Sequence, residues 1–209
     1  MFSGASDDPS LAPLTWDKLT RILRGGGIVL LPTDTIYGLH ALATDEGAIE
    51  RLANIKGRDE GKPFVVVGAS IDQLIEIGIA VGPQLRTILA SLWPAPLTAI
   101  LPLSLPVAAS RGAQSLAVRV PDLQWLRELA TRTGPLASSS ANRSGEPPIS
   151  SPDEIASDLQ MRLDGIVDQG LRTGEPSTIV DFTSDAPQLI REGNPAFAQK
   201  LRKTLWKSL

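Results

Sequence analysis

The chain of 209 residues contains no cysteine and a single histidine. The absence of cysteine excludes disulfide bonds and cysteine-based zinc sites, and one histidine excludes a histidine-rich metal cluster. Aromatic residues make up only 4% of the chain, whereas hydrophobic residues make up 42%. A core built by this chain must therefore be mainly aliphatic.

The chain also lacks a long apolar run and an excess of positive charge. No run is long enough to span a membrane, and residues 1–10 contain two aspartates and no cation, unlike a secretory or organelle-targeting leader. We therefore predict a cytoplasmic protein in which residues 1–14 are flexible and residues 15–209 form one domain. The formal net charge of −3 argues against a surface that binds nucleic acid everywhere, but it permits a local basic crevice.

Apolar periodicity predicts alternating helices and strands, which is typical of an α/β sheet. A first helix is expected to begin at an N-cap Thr15 and to end before glycines 25–27. A capping box predicts another helix start at residues 151–154. Further helices are predicted at 45–56, 71–77, 83–92 and 122–131. Strands are predicted at 28–31, 64–67, 97–101, 116–120, 135–137, 165–168, 178–182 and 189–191.

The last predicted helix carries Phe197, Leu201 and Leu205 at four-residue spacing, with several cations between them. A basic amphipathic helix of this kind can touch tRNA, a partner protein or a membrane surface. We predict the simpler arrangement, in which the apolar stripe packs the helix against the domain.

Two cations close the predicted helix 45–56. Ile49, Leu52 and Lys56 share one helical face, and Arg58 follows two positions later. Cations at a helix C-terminus are favoured by the macrodipole, by about 0.3–1 kcal/mol each, so they need no ligand. The preceding segment 32–39 reads PTDTIYGL and is predicted to be a loop that leaves a strand at Pro32, where α/β sheets bind ligands. Its threonines and aspartate can also simply form caps and turns.

A second polar segment follows the predicted strand 135–137. It contains Ser138, Ser139, Ser140 and Asn142 and is interpreted as a turn. Small hydroxyl and amide groups allow a ligand to approach the backbone closely and supply hydrogen bonds without bulk. An ordinary serine-rich turn has the same composition.

Arg119 lies within an otherwise apolar strand pattern, LAVRV. A buried arginine needs an anionic partner, and its planar fork suits a carboxylate. That carboxylate could belong to a ligand or to an aspartate or glutamate of the chain, and the sequence leaves both alternatives open.

Seven sequence blocks, taken in order, resemble one family. They are PTDTIYGL, IKGR, LWPAPLTAIL, LAVRVP, SSSANRSG, STIVDF and IREG. The blocks resemble the YrdC-type threonylcarbamoyl-AMP synthases and extend over nearly the whole chain. The resemblance implies the short, single-domain form of an α/β fold: a twisted, mixed open sheet flanked by helices, with a positively charged crevice.

The resemblance also implies an activity, that of L-threonylcarbamoyladenylate synthase, a nucleotidyltransferase. This reaction joins L-threonine, bicarbonate or CO2 and ATP into threonylcarbamoyl-AMP and pyrophosphate, for the threonylcarbamoyladenosine modification of tRNA. A separate transferase complex completes that modification, so transient contact with the complex is implied, and binding to tRNA or double-stranded RNA is a weaker implication. Mg²⁺ would be carried mainly by the ATP phosphates, so no protein metal site is expected.

The matching positions imply a set of site residues. Lys56 and Arg58 match a basic pair that holds phosphates, and Ser140 and Asn142 match a pair that binds phosphate and adenylate oxygens; these four form the implied catalytic set. The remaining ATP-binding positions are Lys62, Ser115 and Arg191. The implied threonine-binding positions are Thr35, Arg119, Ser138 and Thr178. Structural roles explain two of these positions equally well. Thr178 can be an ordinary threonine of a strand, and Arg191 can be a cation on an edge strand.

The sequence departs from the family pattern at four positions. Ala95 replaces a usual glycine and would be strained if its φ were positive. Asp59 and Glu60 bring negative charge close to the basic pair. His40 stands where a small residue is more common, and we predict a structural residue with satisfied hydrogen bonds instead of one that titrates near neutrality.

Two other functions fit parts of this pattern. A non-enzymatic RNA-binding or ribosome-associated protein could have the same fold, but the net negative charge and the complete Lys-Arg-Ser-Asn set count against it. Carbamoyl-adenylate chemistry in hydrogenase maturation uses a similar domain inside much longer proteins with cysteine-rich zinc motifs, which are absent from this chain.

Overall fold

The computed structural model describes residues 15–142 and 146–205. Within these residues, all nine strands belong to one mixed sheet, in the order β7-β1-β2-β6-β3-β5-β4-β8-β9. Their bounds are β1 Val29–Pro32, β2 Tyr37–Leu42, β3 Val65–Val67, β4 Leu97–Pro102, β5 Ser115–Arg119, β6 Leu136–Ser140, β7 Gly165–Ile166, β8 Thr178–Asp181 and β9 Gln188–Arg191. The predicted mixed α/β sheet is confirmed, whereas the predicted flexible segment 1–14 lies outside the described residues.

The helices flank this sheet close to their predicted positions. They are α1 Trp16–Arg24, α2 Glu46–Lys56, α3 Ile71–Glu76, α4 Pro83–Leu92, α5 Gln124–Thr133, α6 Ser157–Gln160 and α7 Pro195–Leu205. The predicted cap of α1 is confirmed, because the Thr15 hydroxyl accepts a hydrogen bond from the Lys18 backbone N–H. None of the helices in the described part of the chain is both long and apolar enough to cross a membrane.

Strand alternation divides the buried aliphatic residues between the two faces of the sheet. Leu39 and Val118 belong to a large cluster that includes Ile49 and Leu52 of α2. Leu201 of α7 belongs to the same cluster, which confirms the predicted packing of the closing helix by its apolar stripe. The opposite face carries a smaller cluster that joins β1, β3 and β6 to α1 and α5: Leu19, Leu23, Val29, Leu31, Val67, Leu126, Leu129 and Leu136.

The prediction of a loop throughout residues 32–39 is wrong. Pro32 is the last residue of β1 and lies opposite Tyr37, the first residue of the antiparallel strand β2. Proline is tolerated there because it stands at the end of the strand, where its missing N–H costs least. The connection between the two strands is therefore only residues 33–36.

The interpretation of the serines as a turn is also wrong. Strand β6 continues through Ser138 to Ser140, because β2 pairs with it on one side and β3 on the other. Ser138 lies opposite His40 in β2 and Val65 in β3. Two flanking strands satisfy the backbone of β6, and this long-range pairing overrides the turn-forming composition of the segment.

Two smaller expectations also change. The capping box at Ser151 begins a single turn of 3₁₀ helix, Pro152–Glu154, instead of an α-helix, and α6 follows only after it. Among the described residues, Arg111 is the non-glycine position with positive φ, at 49°. Ala95 therefore does not have the backbone strain that a glycine position would have imposed.

Candidate active site

A cavity of about 310 Å³ opens on the sheet face that carries α1 and α5. Ser138 and Ser140 line it from β6, and strand alternation places them on the same face as Leu136, which packs against those helices. The cavity also receives side chains from the β1–β2 connection, β4, β5, β8 and β9. Its polar lining includes Thr33, Thr35, Arg58, Thr98, Arg119, Ser138, Ser139, Ser140, Ser177 and Arg191.

Three arginines line this cavity, and its described lining contains no aspartate or glutamate. Arg58 follows α2, Arg119 ends β5 and Arg191 ends β9. Residues far apart in the chain are thus brought together around one space. An excess of guanidinium donors in a partly enclosed cavity is suited to an anionic ligand.

Arg119 is held by an internal salt bridge, one of the two alternatives that the sequence left open. Its Nη2 donates to Asp34 Oδ1, and both side chains are buried, with 8% and 6% exposure. Asp34 Oδ2 accepts a hydrogen bond from the Asp122 backbone N–H at 3.0 Å, and Arg119 Nη1 donates to Thr35 Oγ1 at 3.4 Å. Arg119 Nε is buried without a partner in the described part of the protein, so its N–H is among the guanidinium donors left for a ligand.

The Thr33 hydroxyl organises the β1–β2 connection. It donates to the Ile36 carbonyl oxygen at 2.7 Å, because a carbonyl oxygen can only accept, and its oxygen accepts from the Thr35 and Ile36 backbone N–H groups, both at 3.1 Å. The Thr33 and Thr35 hydroxyls lie 2.9 Å apart, and either can be the donor in this contact. Thr35 is buried, with 4% exposure, lines the cavity and accepts from Arg119 Nη1.

His40 lies behind Ser138 and is fully buried. Its Nδ1 is 2.9 Å from the Gly38 carbonyl oxygen, and its Nε2 is 3.1 Å from Ser138 Oγ. Burial, assisted by the charge of Arg119, lowers the pKa of His40 to about 4 although the Gly38 hydrogen bond opposes this. Both ring nitrogens of His40 thus have hydrogen-bond partners, as predicted, and a pKa lowered to about 4 leaves the ring neutral near pH 7.

Lys56 binds the backbone at the end of β6. Its Nζ donates to the Ser140 carbonyl oxygen at 2.8 Å and also to the Asn142 carbonyl oxygen. Burial and the neighbouring Arg58 lower the pKa of Lys56, and Glu146 opposes the shift. Asn142 Oδ1 is buried and lacks a partner among the described atoms, whereas the Asn142 side-chain N–H donates to the Glu146 carbonyl oxygen.

Arg58 follows a left-handed turn at Gly57, with φ 55°, which ends α2. The turn directs Arg58 toward the cavity while Lys56 stays on the helix. The Arg58 guanidinium lies 4.7 Å from the centroid of the Phe64 ring and donates to the Lys62 and Pro63 carbonyl oxygens. Burial and, to a lesser extent, Arg111 lower the pKa of Arg58, whereas Asp59 raises it.

Arg191 and Thr178 hold the far side of the cavity in different ways. Arg191 donates twice to the Ser177 carbonyl oxygen, at 3.1 and 2.8 Å, and lines the cavity. Thr178 is fully buried, and its hydroxyl accepts from the Gly193 N–H at 3.1 Å. Thr178 therefore fixes the turn after β9 and does not itself line the cavity.

The structure brings together most of the residues singled out from the sequence. Lining the cavity are Thr35, Arg58, Arg119, Ser138, Ser140 and Arg191. Lys56 and Asn142 lie directly behind it through their contacts with the end of β6. Lys62 is exposed, and Ser115 begins β5, roughly 13 Å along the strand from Arg119 at 3.3 Å per residue.

Sequence reasoning missed Thr98 and Ser177, and it noted Thr33 in the predicted ligand-binding loop without assigning it to the site. Thr33, Thr98 and Ser177 line the cavity, and the Thr98 and Ser177 hydroxyls lie 2.8 Å apart. Asp34 was noticed only as one polar residue of a loop, although it is the partner of Arg119. Thr98 interrupts an apolar strand, as Arg119 does, and that shared irregularity is the signal that could have indicated it.

A glycine brings the segment after β7 close to the threonines. A Cβ atom at Gly174 would lie 2.5 Å from the Thr35 carbonyl oxygen, so only glycine permits this approach. In the same segment, the Gly170 carbonyl oxygen accepts from the Tyr37 hydroxyl at 2.8 Å. These contacts attach the segment to Thr35 in the β1–β2 connection and to Tyr37 at the start of β2.

Residues 21–193 match the Sua5/YciO/YrdC family, which carries the description telomere recombination. The chain belongs to this family. The sequence resemblance is thereby confirmed, and the arginine-lined cavity is a feature of a Sua5/YciO/YrdC domain.

Two curated relatives are named threonylcarbamoyl-AMP synthase. The protein of Pyrococcus abyssi is 37% identical over 177 residues, covering 82% of this chain and 52% of the relative. The protein of Bacillus subtilis is 34% identical over 194 residues, covering 90% of this chain and 55% of the relative. The chain thus spans about half the length of these relatives.

A solved structure of Sua5 from P. abyssi, described as complexed with L-threonine, has the same fold. It superimposes with a TM-score of 0.81 at 34% identity, covering 92% of this chain and 58% of that one. Similarity at this level over nearly the whole chain extends to the strands that carry the cavity.

Proposed function

We propose that this Sua5/YciO/YrdC domain is an L-threonylcarbamoyladenylate synthase. It forms threonylcarbamoyl-AMP and pyrophosphate from L-threonine, bicarbonate or CO2, and ATP supplied as its Mg²⁺ complex. The observation that carries this proposal is a cavity lined by three arginines and no described carboxylate, beside a lysine and an asparagine. The relatives named for this activity support the same assignment.

Threonine is proposed to bind at the end of β5. The unpartnered Arg119 Nε is a donor for the substrate carboxylate, and Asp34 holds the guanidinium in place from behind. The Thr35 and Ser138 hydroxyls lie on the same cavity wall and serve the polar groups of the amino acid. Thr178 supports the proposed threonine site indirectly, because its hydroxyl accepts from the Gly193 N–H and fixes the turn after β9.

ATP is proposed to bind between the end of α2 and the end of β6. Arg58 supplies positive charge to the phosphates, and the Ser140 hydroxyl can donate to them. The unpartnered Asn142 Oδ1 can only accept, so it is proposed to accept from a hydroxyl or amino group of the nucleotide. Lys56 holds the backbone of Ser140 and Asn142 and adds positive charge from behind. The less direct ATP contacts proposed are Lys62, Ser115 and Arg191.

The chemistry requires no nucleophile from the protein. The threonine amine attacks CO2, loses a proton and becomes a carbamate; a carbamate oxygen then attacks the α-phosphorus of ATP, and the bond to pyrophosphate breaks. Negative charge develops on the transferred phosphoryl oxygens and on the leaving group. Arginine and lysine side chains held in fixed positions stabilise such charge, which is the main protein contribution to reactions of this type.

The Mg²⁺ ion is assigned to the substrate and not to the protein. Within residues 15–142 and 146–205, no group of three or more histidine, cysteine, aspartate or glutamate side chains is arranged to hold a metal. Mg²⁺ commonly binds through phosphate oxygens and water with few protein ligands, which agrees with this lining.

The proposal extends to the cellular role. Threonylcarbamoyl-AMP is a reactive mixed anhydride and has to be delivered to a tRNA-modifying transferase complex, so the proposed setting is the cytoplasm, with transient contact to that complex. Direct tRNA binding is not needed for the synthase step. RNA binding that persists without ATP and threonine, and weakens steeply with salt, would favour the non-enzymatic alternative.

The test is pyrophosphate release by the purified protein given MgATP, bicarbonate and L-threonine, with each component omitted in turn. We expect release only with all of them present, and threonylcarbamoyl-AMP by mass spectrometry. Lys56→Ala should lower the rate at least 100-fold, as loss of one charge-stabilising group commonly does. The matched control Lys18→Ala, which removes an exposed lysine of α1, should leave the rate unchanged. Release indifferent to threonine and bicarbonate would overturn the proposal.

A further inference from the structure

His40 makes contacts that determine the direction of the hydrogen bond at Ser138. Its Nδ1 is 2.9 Å from the Gly38 carbonyl oxygen, which can only accept, so Nδ1 carries the ring proton. The ring is fully buried and has no carboxylate among its hydrogen-bond partners, and burial lowers its pKa to about 4, so it is neutral at pH 7. In this neutral tautomer Nε2 has a lone pair and no proton.

Ser138 must therefore donate its hydroxyl proton to His40. The contact between Ser138 Oγ and His40 Nε2 is 3.1 Å, and Nε2 is the acceptor. The hydroxyl has one proton, so it can offer only lone pairs to the cavity that it lines. A serine without such a neighbour would rotate and act as either donor or acceptor.

Thr35 lines the same cavity, but its hydroxyl is not restricted in this way. Arg119 Nη1 donates to the Thr35 oxygen at 3.4 Å, and either hydroxyl can be the donor in the 2.9 Å contact between Thr35 and Thr33. Ser138 is therefore the hydroxyl whose neighbours fix it as an acceptor, and it shares the cavity with Arg119, whose Nε has no partner among the described residues.

We propose that His40 is a positioning residue that holds the Ser138 hydroxyl as an acceptor, so that Ser138 binds an N–H of the α-amino group of the substrate. Arg119, in the same cavity, then binds the carboxylate of the same α-amino acid. This inference rests on the proposed threonine site and assigns a specific substrate group to Ser138 and to Arg119.

The first test is a direct observation of the ring. His40 is the only histidine in the chain, so ¹⁵N-histidine labelling gives one unambiguous pair of ring signals. We expect the neutral tautomer protonated at Nδ1 throughout pH 6–8, and a change in the Nε2 signal on addition of L-threonine but not of ATP. A proton on Nε2, a charged ring, or an Nε2 signal that threonine leaves unchanged would overturn the proposal.

The second test compares substitutions by calorimetric binding of L-threonine and of ATP. His40→Leu should weaken threonine binding by about tenfold, the loss of one ordinary hydrogen bond or about 1.4 kcal/mol, and leave ATP binding unchanged. His40→Gln can present its amide oxygen to Ser138 and should stay within about threefold of the natural protein. His40→Leu added to Ser138→Ala should cause no further loss, because its effect passes through that hydroxyl.

The remaining outcomes of the binding experiments would overturn this inference alone or together with the proposed function. Equal losses for threonine and ATP, glutamine as harmful as leucine, or additive losses in the double variant would show a purely structural histidine and overturn the inference alone. The proposed function would survive these outcomes if pyrophosphate release still required threonine. If the natural protein binds no threonine, the proposed function and this inference fail together.

Discussion

The Arg119 guanidinium has two roles: it forms a salt bridge with Asp34, and it is proposed to bind the substrate carboxylate. The buried contact with Asp34 neutralises its charge, Nη1 donates to Thr35, and Nε is the nitrogen without a partner among the described residues. Removing one member of a buried ion pair leaves the other charge uncompensated, which typically costs about 3–5 kcal/mol. Removing both members avoids that penalty.

We therefore expect Arg119→Met and Asp34→Asn each to lower the free energy of unfolding by about 3 kcal/mol. The double variant should lose clearly less than the sum of the two, since no buried charge is left without a partner. Urea denaturation of the four proteins measures this coupling. Additive losses would show that the salt bridge does not stabilise the fold, and both single variants should bind threonine poorly in either case.

The buried His40 also affects stability as a function of pH. Its pKa is about 4 in the folded protein, against 6.5 as the ordinary value. Between these values the unfolded chain binds a proton that the folded protein does not, so stability falls as pH falls. At pH 7 both states are neutral and the effect is absent.

On lowering the pH from 7 to 4, the natural protein should lose about 3 kcal/mol more than His40→Gln, whose side chain does not titrate. Urea midpoints measured at several pH values for both proteins give this difference. Parallel curves for the two proteins would contradict a low pKa for His40.

At the residue scale, the sequence indicated which side chains matter but not which of them meet. Arg119 stands out as a cation in an apolar strand, whereas its partner Asp34 lies 85 positions earlier in a short connection. No periodicity links the two. The role of Ser138 likewise depends on His40, 98 positions away, which only the pairing of β2 with β6 brings into contact.

At the scale of elements, α2 sets the separation of its two terminal cations. Gly57 ends the helix in the left-handed region, at φ 55°, and a Cβ atom there would meet no other atom within 4 Å. Substitution by alanine is therefore strained by backbone conformation alone. Gly47 is in the first turn of the same helix, exposed and without positive φ, so it is a matched control.

Gly57→Ala should lower the free energy of unfolding by about 1 kcal/mol, whereas Gly47→Ala should raise it by about 0.5 kcal/mol, since alanine favours helix. Thermal and urea unfolding measure both. Gly57→Ala should also slow pyrophosphate release, because the turn directs Arg58. A Gly57→Ala variant that is destabilised but fully active would show that the turn at Gly57 is not needed to position Arg58 for the reaction.

The wrong predictions concern elements whose secondary structure depends on pairing with neighbouring strands. In β2, Tyr37, Leu39 and Ala41 alternate with Gly38 and His40, and all five are buried. Glycine and histidine disguised this alternation because they are uncommon in strands that bury both faces. The serines of β6 have a turn-like composition, and only two flanking strands make them a strand. By contrast, α2 was well predicted because its cap and its closing glycine are both local signals.

At the scale of the whole molecule, the cavity is lined by residues of seven strands, β2 to β6, β8 and β9, and of the β1–β2 connection. Binding to the folded state alone raises its stability, by about 2.7 kcal/mol at a ligand concentration 100 times Kd. For a chain of this size that corresponds to roughly 5–10 °C in Tm.

L-Threonine at this concentration should therefore raise Tm by several degrees in differential scanning calorimetry, and MgATP should do so independently. D-Threonine, which cannot place its amine, carboxylate and side chain simultaneously, is the control and should have little effect. Equal shifts with both enantiomers would mean that the cavity does not recognise threonine stereospecifically.

The order of the strands has a consequence for synthesis on the ribosome. Thr33 and Thr35 are made early, but β8 pairs with β4, and β9, which supplies Arg191, pairs with β8 at the edge of the sheet. A nascent chain can form β1 to β6 while one wall of the cavity is still missing. Substrate binding should therefore begin only after translation has passed residue 191 and β9 has left the exit tunnel, so a stalled shorter chain would be partly folded but unable to bind its substrates.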